Sequence, residues 1–189
     1  EALRIEVTGL TDLADQVGED VLLRLHYSLN KMIAKVVRSY RGKITRIDGD
    51  RLMVFWGLKR NSSRDLELCV RCAAELLQLP DRFFAARKVR ISLSMGVHRG
   101  SVLVPGGRRH RRLPPYTAWG DTVKLANRLC QEAGLGDVLV SERVFSLLHT
   151  WCDFEAATTL RVKWAVREVQ AYRLLRTHLH AQGAHSGRW

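Results

Sequence analysis

The stretch RIDGDRLMVFWG, from Arg46 to Gly57, decides the fold of this 189-residue chain. The pair Asp48-Gly49 separates a short alternating segment from an apolar run, which is typical of a β-hairpin. Such a pair favours a type I′ turn, in which both central residues have positive φ. A cation, Arg46, and a carboxylate, Asp50, then stand at the tip of the hairpin. Residues that flank a turn are often merely solvated, so their role depends on the rest of the chain.

Periodic segments surround this hairpin on both sides. Upstream, the segment LRIEV (3–7) predicts a strand, and apolar residues at three- and four-residue steps from Val21 to Tyr40 predict a long helix. Downstream, a second helix is expected to begin at Ser62 or Ser63, either of which can cap it, and to end at Pro80.

The C-terminal half continues with alternating strands and helices. The pattern predicts a strand within KVRISLSMGVHRGSVLV (88–104), then a bend bracketed by Gly96 and Gly100, and another short strand. A helix should run from Asp121, its expected N-cap, to about Ala133. After it we expect a strand at DVLVS (137–141), a short helix at ERVFSLLH (142–149) and a closing hairpin at LRVKWAVREVQAYRL (160–174).

The order β-α-β-β-α-β, followed by further helices and strands, predicts the α+β class. We expect a ferredoxin-like βαββαβ core with a C-terminal α/β extension. One domain should cover residues 1–175, and residues 176–189, which have little apolar content, should form a mobile tail.

Charge narrows the choice of partner. The formal net charge is +12 and the sequence pI is about 10.2, which favours an anionic partner such as nucleic acid, a lipid surface or a polyphosphate. The densest cluster, RRHRR (108–112), lies between loop signals and should be an exposed loop tip. The expected sheet lacks the paired aromatics of RNA-recognition sheets, which disfavours nucleic acid.

No apolar run approaches the roughly 20 residues of a membrane span, so we expect a cytoplasmic domain without membrane contact. A membrane tether elsewhere in a longer protein stays open.

Six segments in this order resemble the class III nucleotide cyclases: EVTGLT, RIDGDRLMVFWG, VRISLSMGVHRGSV, YTAWGDTVKLANRL, GDVLVSERVFSLL and VKWAVREVQAYRL. The resemblance runs from Glu6 to Leu174, and the ordered set is far more specific than any one segment. It implies the class III cyclase fold and a nucleotide site at the tip of the hairpin.

The resemblance also implies a metal site at Asp50 and Glu6. Mg²⁺ or Mn²⁺ prefers carboxylate oxygens, and two such ions can activate a ribose 3′-hydroxyl while neutralising the triphosphate. The family usually has Asp where this chain has Glu6. The extra methylene moves the oxygens by about 1.5 Å, whereas productive sites hold their geometry to about 0.5 Å. Two residues earlier, Arg4 replaces an apolar residue that is usual in this strand.

At the other positions that the resemblance singles out, this chain has four basic residues and a threonine. Arg128 resembles the arginine that stabilises charge on the α-phosphate. Lys124 lies four residues earlier, on the same helix face, where the family usually has an Asn that orients the ribose; a lysine cannot accept a hydrogen bond as that amide does. Arg46 and Thr117 match the two purine-reading positions. Lys163 resembles a lysine near the triphosphate, although the usual KGK reads KWA here.

These positions imply conversion of ATP to 3′,5′-cyclic AMP and pyrophosphate at a dimer interface, in a homodimer or a heterodimer of cyclase domains. Arg46 and Thr117 differ from the Glu and Cys pair usual in guanylate cyclases, which favours ATP over GTP. The departures at Glu6, Lys124 and the KGK motif favour an alternative, a catalytically weak or inactive domain that regulates or pairs with another subunit.

Overall fold

The computed structural model describes residues 1–10, 13, 17–58, 60–84, 91–103, 120–162 and 168–178. The strands are β1 (Ala2–Thr8), β2 (Lys43–Asp48), β3 (Arg51–Phe55), β4 (Ser92–His98), β5 (Val138–Ser141), β6 (Cys152–Leu160) and β7 (Val169–Thr177). The helices are α1 (Glu19–Ser39), α2 (Asp65–Leu77), α3 (Leu79–Phe84), α4 (Asp121–Glu132) and α5 (Glu142–Leu148).

The seven strands of the described residues form one sheet in the order β2-β3-β1-β4-β5-β7-β6. β1 lies between β3 and β4 and is antiparallel to both. The order of the first four strands is that of the ferredoxin-like core, which confirms the predicted fold class. β5 extends this core parallel to β4, and the antiparallel pair β6 and β7 completes the C-terminal extension.

The two faces of the sheet are covered by different helices. α1 buries Leu29, Ile33 and Val37 in the cluster that also holds Leu3 and Ile5 of β1. On the other face, Ala2 and Phe55 form a smaller cluster with Ala126 of α4. Since side chains alternate along a strand, Arg4 and Glu6 lie on the α4 face.

Gly96 allows α4 to lie close to β4. A Cβ atom at this position would collide with the carbonyl oxygen of Ala126 and the backbone nitrogen of Cys130. Gly96 lies inside β4 and supports helix packing. The strand ends at His98, between the two glycines that were expected to bracket a bend. Of the short strand expected after Gly100, Leu103 forms an isolated bridge, and residues 104–119 lie outside the described part of the chain.

The hairpin turn differs from the predicted one by a register of one residue. Asp48 pairs with Arg51 at the end of the ladder, so the loop residues are Gly49 and Asp50. Only Gly49 of the two has positive φ, 58°, whereas a type I′ turn needs two such residues. A single positive φ at the first loop position is the requirement of a type II′ turn. The type I′ expectation was wrong because ladder pairing extends through Asp48.

Two boundaries of the second helix also differ from expectation. α2 begins at Asp65 rather than at Ser62 or Ser63, and the Asp65 carboxylate accepts a hydrogen bond of 2.7 Å from the backbone N–H of Ser62. Pro80 does not end α2, which stops at Leu77. It lies in the first turn of α3, where a missing N–H costs nothing.

The closing hairpin begins earlier than predicted. Its first strand is β6 at residues 152–160, not the segment that starts at Leu160. β6 is an edge strand with several exposed residues, so it lacks the clear apolar alternation that identifies a strand. β7 runs to Thr177, and residues 179–189 lie outside the described part. No helix among the described residues is long and apolar enough to cross a membrane.

Candidate active site

Glu6 and Asp50 meet where the β2–β3 hairpin touches β1. Glu6 lies in β1 directly opposite Arg51 of β3. The carbonyl oxygen of Asp50 accepts a hydrogen bond of 2.8 Å from the backbone N–H of Val7. The loop is thus held beside the residue that follows Glu6. Both carboxylates keep access to solvent, with exposed side-chain fractions of 22% for Glu6 and 42% for Asp50.

Arg51 contacts both of these carboxylates. Its Nη2 lies 3.4 Å from Oε1 of Glu6, and its Nε lies 3.6 Å from Oδ1 of Asp50. The sequence did not single out this residue, because an arginine between Asp50 and the apolar run that follows looks like an ordinary strand residue. The signal that could have found it is the strand register, since a residue opposite Glu6 on a neighbouring strand points to the same face.

Two more arginines lie around this pair. Arg4 shares the face of Glu6 and is half-buried, and burial lowers the pKa of its guanidinium below its ordinary value. Arg46, on β2, donates a 3.0 Å hydrogen bond to Oδ2 of Asp48 and is largely exposed. The carboxylates of Glu6, Asp48 and Asp50 therefore lie among an equal number of arginines.

The donor chemistry of Glu6 and Asp50 fits a hard divalent cation. Mg²⁺ is usually held by one or two carboxylates together with substrate phosphates and water, rather than by a cage of protein ligands. No group of three or more His, Cys, Asp or Glu side chains that could hold a metal occurs within the described residues. Two carboxylates alone leave coordination positions that substrate phosphates and water would have to fill.

Lys124 and Arg128 project from α4, whereas Glu6 and Asp50 belong to β1 and to the β2–β3 hairpin. Both are exposed, and each forms an ion pair within the helix: Lys124 with Asp121 at 3.1 Å and Arg128 with Glu132 at 2.7 Å. Both residues lie within α4, four positions apart, and so on the same side of the helix. Asp121 is the first residue of the helix rather than its N-cap, which is Gly120.

The start of α4 is anchored by its second residue. Oγ1 of Thr122 donates a 2.6 Å hydrogen bond to the carbonyl oxygen of Ser101. Gly96, beneath the middle of the helix, permits the close contact with β4 described above. These two features fix how α4 lies on the sheet, and therefore where Lys124 and Arg128 are placed.

A family model for the adenylate and guanylate cyclase catalytic domain matches residues 3–176. The chain belongs to this family. It is therefore a cyclase catalytic domain of the adenylate and guanylate type, as the ordered segments implied.

Known proteins similar to this cyclase domain include both adenylate cyclases and guanylate cyclases. Adenylate cyclase 1 of Rhizobium meliloti (strain 1021) is 29% identical over 140 residues, which cover 68% of this chain and 21% of that protein. The solved structure of the adenylyl cyclase CyaB from P. aeruginosa has a TM-score of 0.83 at 23% identity and covers 93% of each chain. That of the guanylyl cyclase Cya2 has a TM-score of 0.83 at 16% identity, covering 96% of this chain and 93% of that one. The two structures show the shared fold.

Three of the sequence-based expectations for the cyclase domain fall outside the described residues. Thr117 and the cluster at residues 108–112 belong to segment 104–119, and Lys163 belongs to segment 163–167. The structure therefore describes five of the expected site residues: Glu6, Arg46, Asp50, Lys124 and Arg128.

His98 is a residue of the cyclase domain that sequence reasoning did not single out. It lines an open cavity of 390 Å³ beside the start of α4, and its Nδ1 lies 2.8 Å from Oγ of Ser141. Burial, with a smaller contribution from the nearby Arg143, lowers the pKa of the imidazole to about 4. The ring is therefore neutral at pH 7. A single histidine at the end of an alternating strand gives no signal in the sequence that it will line a cavity.

Proposed function

We propose that this cyclase domain converts ATP to 3′,5′-cyclic AMP and pyrophosphate at an interface between two cyclase domains. The observation that carries the proposal is the meeting of Glu6 and Asp50 at the junction of β1 and the hairpin, with Arg128 and Lys124 standing on another element. A carboxylate half and a cationic half built on different elements suit a site that two copies complete together.

In this proposal, Asp50 and Glu6 hold Mg²⁺ or Mn²⁺. The bound ion would favour ionisation of the ribose 3′-hydroxyl and offset the charge of the triphosphate. The chain itself holds the two carboxylates beside each other through the Val7–Asp50 backbone hydrogen bond. Because both side chains are partly exposed, a nucleotide can reach them without a change of fold.

Arg128 is proposed to stabilise the charge that develops on the α-phosphate. Its present partner, Glu132, is on the surface, and an exposed pair of this kind contributes only about 0.3–0.5 kcal/mol. A phosphate can therefore replace Glu132 at small cost. A guanidinium presents several donors in a fixed plane, which suits phosphate oxygens. Lys124, one turn earlier, would add a point charge near the same ligand.

ATP is the proposed substrate rather than GTP. Arg46, exposed at the hairpin, and Thr117 occupy the two purine-reading positions of the family, and they differ from the Glu and Cys pair usual for GTP. The similar protein from Rhizobium meliloti carries the name adenylate cyclase. ATP as substrate is consistent with a cytoplasmic location.

A second candidate function is favoured by Arg51. A guanidinium that contacts both expected metal ligands, together with Glu6 and Lys124 at positions usually held by other residues, suits a domain of low activity that serves as a regulatory or heterodimer partner. The two candidates differ in whether this chain alone turns over a nucleotide.

The deciding experiment incubates purified protein with Mn²⁺ and ATP, GTP, CTP or UTP, and identifies the product by mass spectrometry. Cyclic AMP formation that is lost in Asp50→Ala supports the proposed enzyme. Cyclic GMP as the main product would refute the choice of ATP. Absence of any cyclic nucleotide would favour the partner role.

A further inference from the structure

We propose that Arg51 is a resident cation that competes with the divalent metal for Glu6 and Asp50, so that it lowers the metal affinity of the site. The proposal rests on the part of the proposed function that assigns these two carboxylates to the metal. It makes Arg51 a residue that sets how much metal the enzyme requires.

The position of Arg51 results from strand pairing. It follows Asp50 directly in the chain and lies opposite Glu6 in the β1–β3 ladder. Its guanidinium therefore reaches both carboxylates at once, at 3.4 Å and 3.6 Å. A metal ion held by both Glu6 and Asp50 would have to occupy space close to that guanidinium. Two cations so near each other repel, and the repulsion is larger for a divalent ion.

The contacts of Arg51 are those of a displaceable group. Both distances exceed the 2.7–2.9 Å that is usual for strong charge-assisted hydrogen bonds, and the Arg51 side chain is 49% exposed. It can therefore turn into solvent when a metal arrives. The loss of the two ion pairs opposes metal binding without preventing it.

The chain contains a matched control at Arg173 of β7. This arginine also contacts two carboxylates: its Nη1 lies 2.6 Å from Oε1 of Glu155, and its Nε lies 3.0 Å from Oδ2 of Asp137. Its side chain is 41% exposed. Arg173→Gln frees a carboxylate pair and removes one positive charge, as Arg51→Gln does, but away from the proposed site.

The test measures Mn²⁺ binding to the full chain without nucleotide, by the loss of the free-ion signal in electron paramagnetic resonance. Arg51→Gln should bind Mn²⁺ about tenfold more tightly than the wild type, equivalent to 1.4 kcal/mol. Arg51→Lys, which keeps the charge, should stay within about threefold of the wild type. The double variant Arg51→Gln/Asp50→Asn should lose the gain. Circular dichroism checks that each variant is folded.

Equal affinities of Arg51→Gln and the wild type would overturn the proposal, as would undetectable binding to both. An equal gain in Arg173→Gln would overturn it too, because any freed carboxylate pair would then suffice. These readouts do not depend on turnover. A tenfold gain in a protein that forms no cyclic nucleotide would refute the proposed function and leave the competition standing.

Discussion

Arg51 and Arg173 form two carboxylate bridges of similar exposure and different geometry. The side chains of Arg51 and Arg173 are 49% and 41% exposed. The contacts of Arg173, at 2.6 Å and 3.0 Å, are shorter than the 3.4 Å and 3.6 Å of Arg51. Exposure therefore does not separate them.

What separates the two bridges is the structure around each. Arg173 lies in β7 between its neighbours β5 and β6, and its partners lie on β6 and just before β5, so the bridge ties three segments of the extension together. Arg51 lies at the start of β3, beside a two-residue loop. The same chemical arrangement can link strands in one place and lie beside a proposed metal site in another.

The largest expected difference between the two bridges is in catalysis. Asp50→Ala should lower cyclase activity by at least about 10³-fold, since a metal ion contributes several kcal/mol of transition-state stabilisation. Asp137→Ala, the equivalent change at the other bridge, should leave kcat within about twofold. Initial rates of cyclic AMP formation with both proteins measure the contrast, and equal losses would remove the metal assignment from Asp50.

Arg128 provides the next contrast, because the proposed site takes it from the other subunit. Arg128→Ala alone should lower kcat by about 10²- to 10³-fold, by analogy with the removal of an oxyanion donor. Mixed at equal amounts with Asp50→Ala, it should recover roughly a quarter of wild-type activity, because half of the dimers are mixed and each has one intact site. Absence of recovery, with a monomer in light scattering, would contradict a homodimeric enzyme.

A smaller effect is expected at Glu6 and Lys124, two positions at which this chain departs from the residues usual in the family. Glu6→Asp combined with Lys124→Asn should raise kcat by about fivefold, because it restores the carboxylate reach and an amide acceptor for the ribose. Glu155→Asp at the Arg173 bridge serves as the control and should not change kcat. A double variant of lower activity would show that this chain has its own geometry at both positions.

The smallest expected effect concerns folding stability. Arg173→Gln should lower the free energy of unfolding by about 1 kcal/mol, whereas Arg51→Gln should change it by less than about 0.5 kcal/mol. Urea denaturation followed by circular dichroism measures both values. A larger loss in Arg51→Gln would mean that its bridge fastens the hairpin to β1, and that the longer distances do not mark a displaceable group.

The local parts of this molecule were predictable. The long helix α1, the β2–β3 hairpin and α4 each carry their own periodicity or turn residues, and these signals span only a few neighbouring positions. The edge strand β6 was missed because exposure on both sides removes the apolar alternation. The turn type was missed because ladder pairing, not the Asp48-Gly49 pair, decides which residues form the loop.

By itself, the sequence determined the ferredoxin-like order of elements and the family, and it singled out Glu6, Asp50, Lys124 and Arg128, because periodicity and ordered motifs are properties of the chain. Only the tertiary structure decided that Arg51 faces Glu6, a residue 45 positions away. Strand register is a long-range choice that depends on how whole faces are buried. A one-residue shift would have turned Arg51 to the opposite face of the sheet.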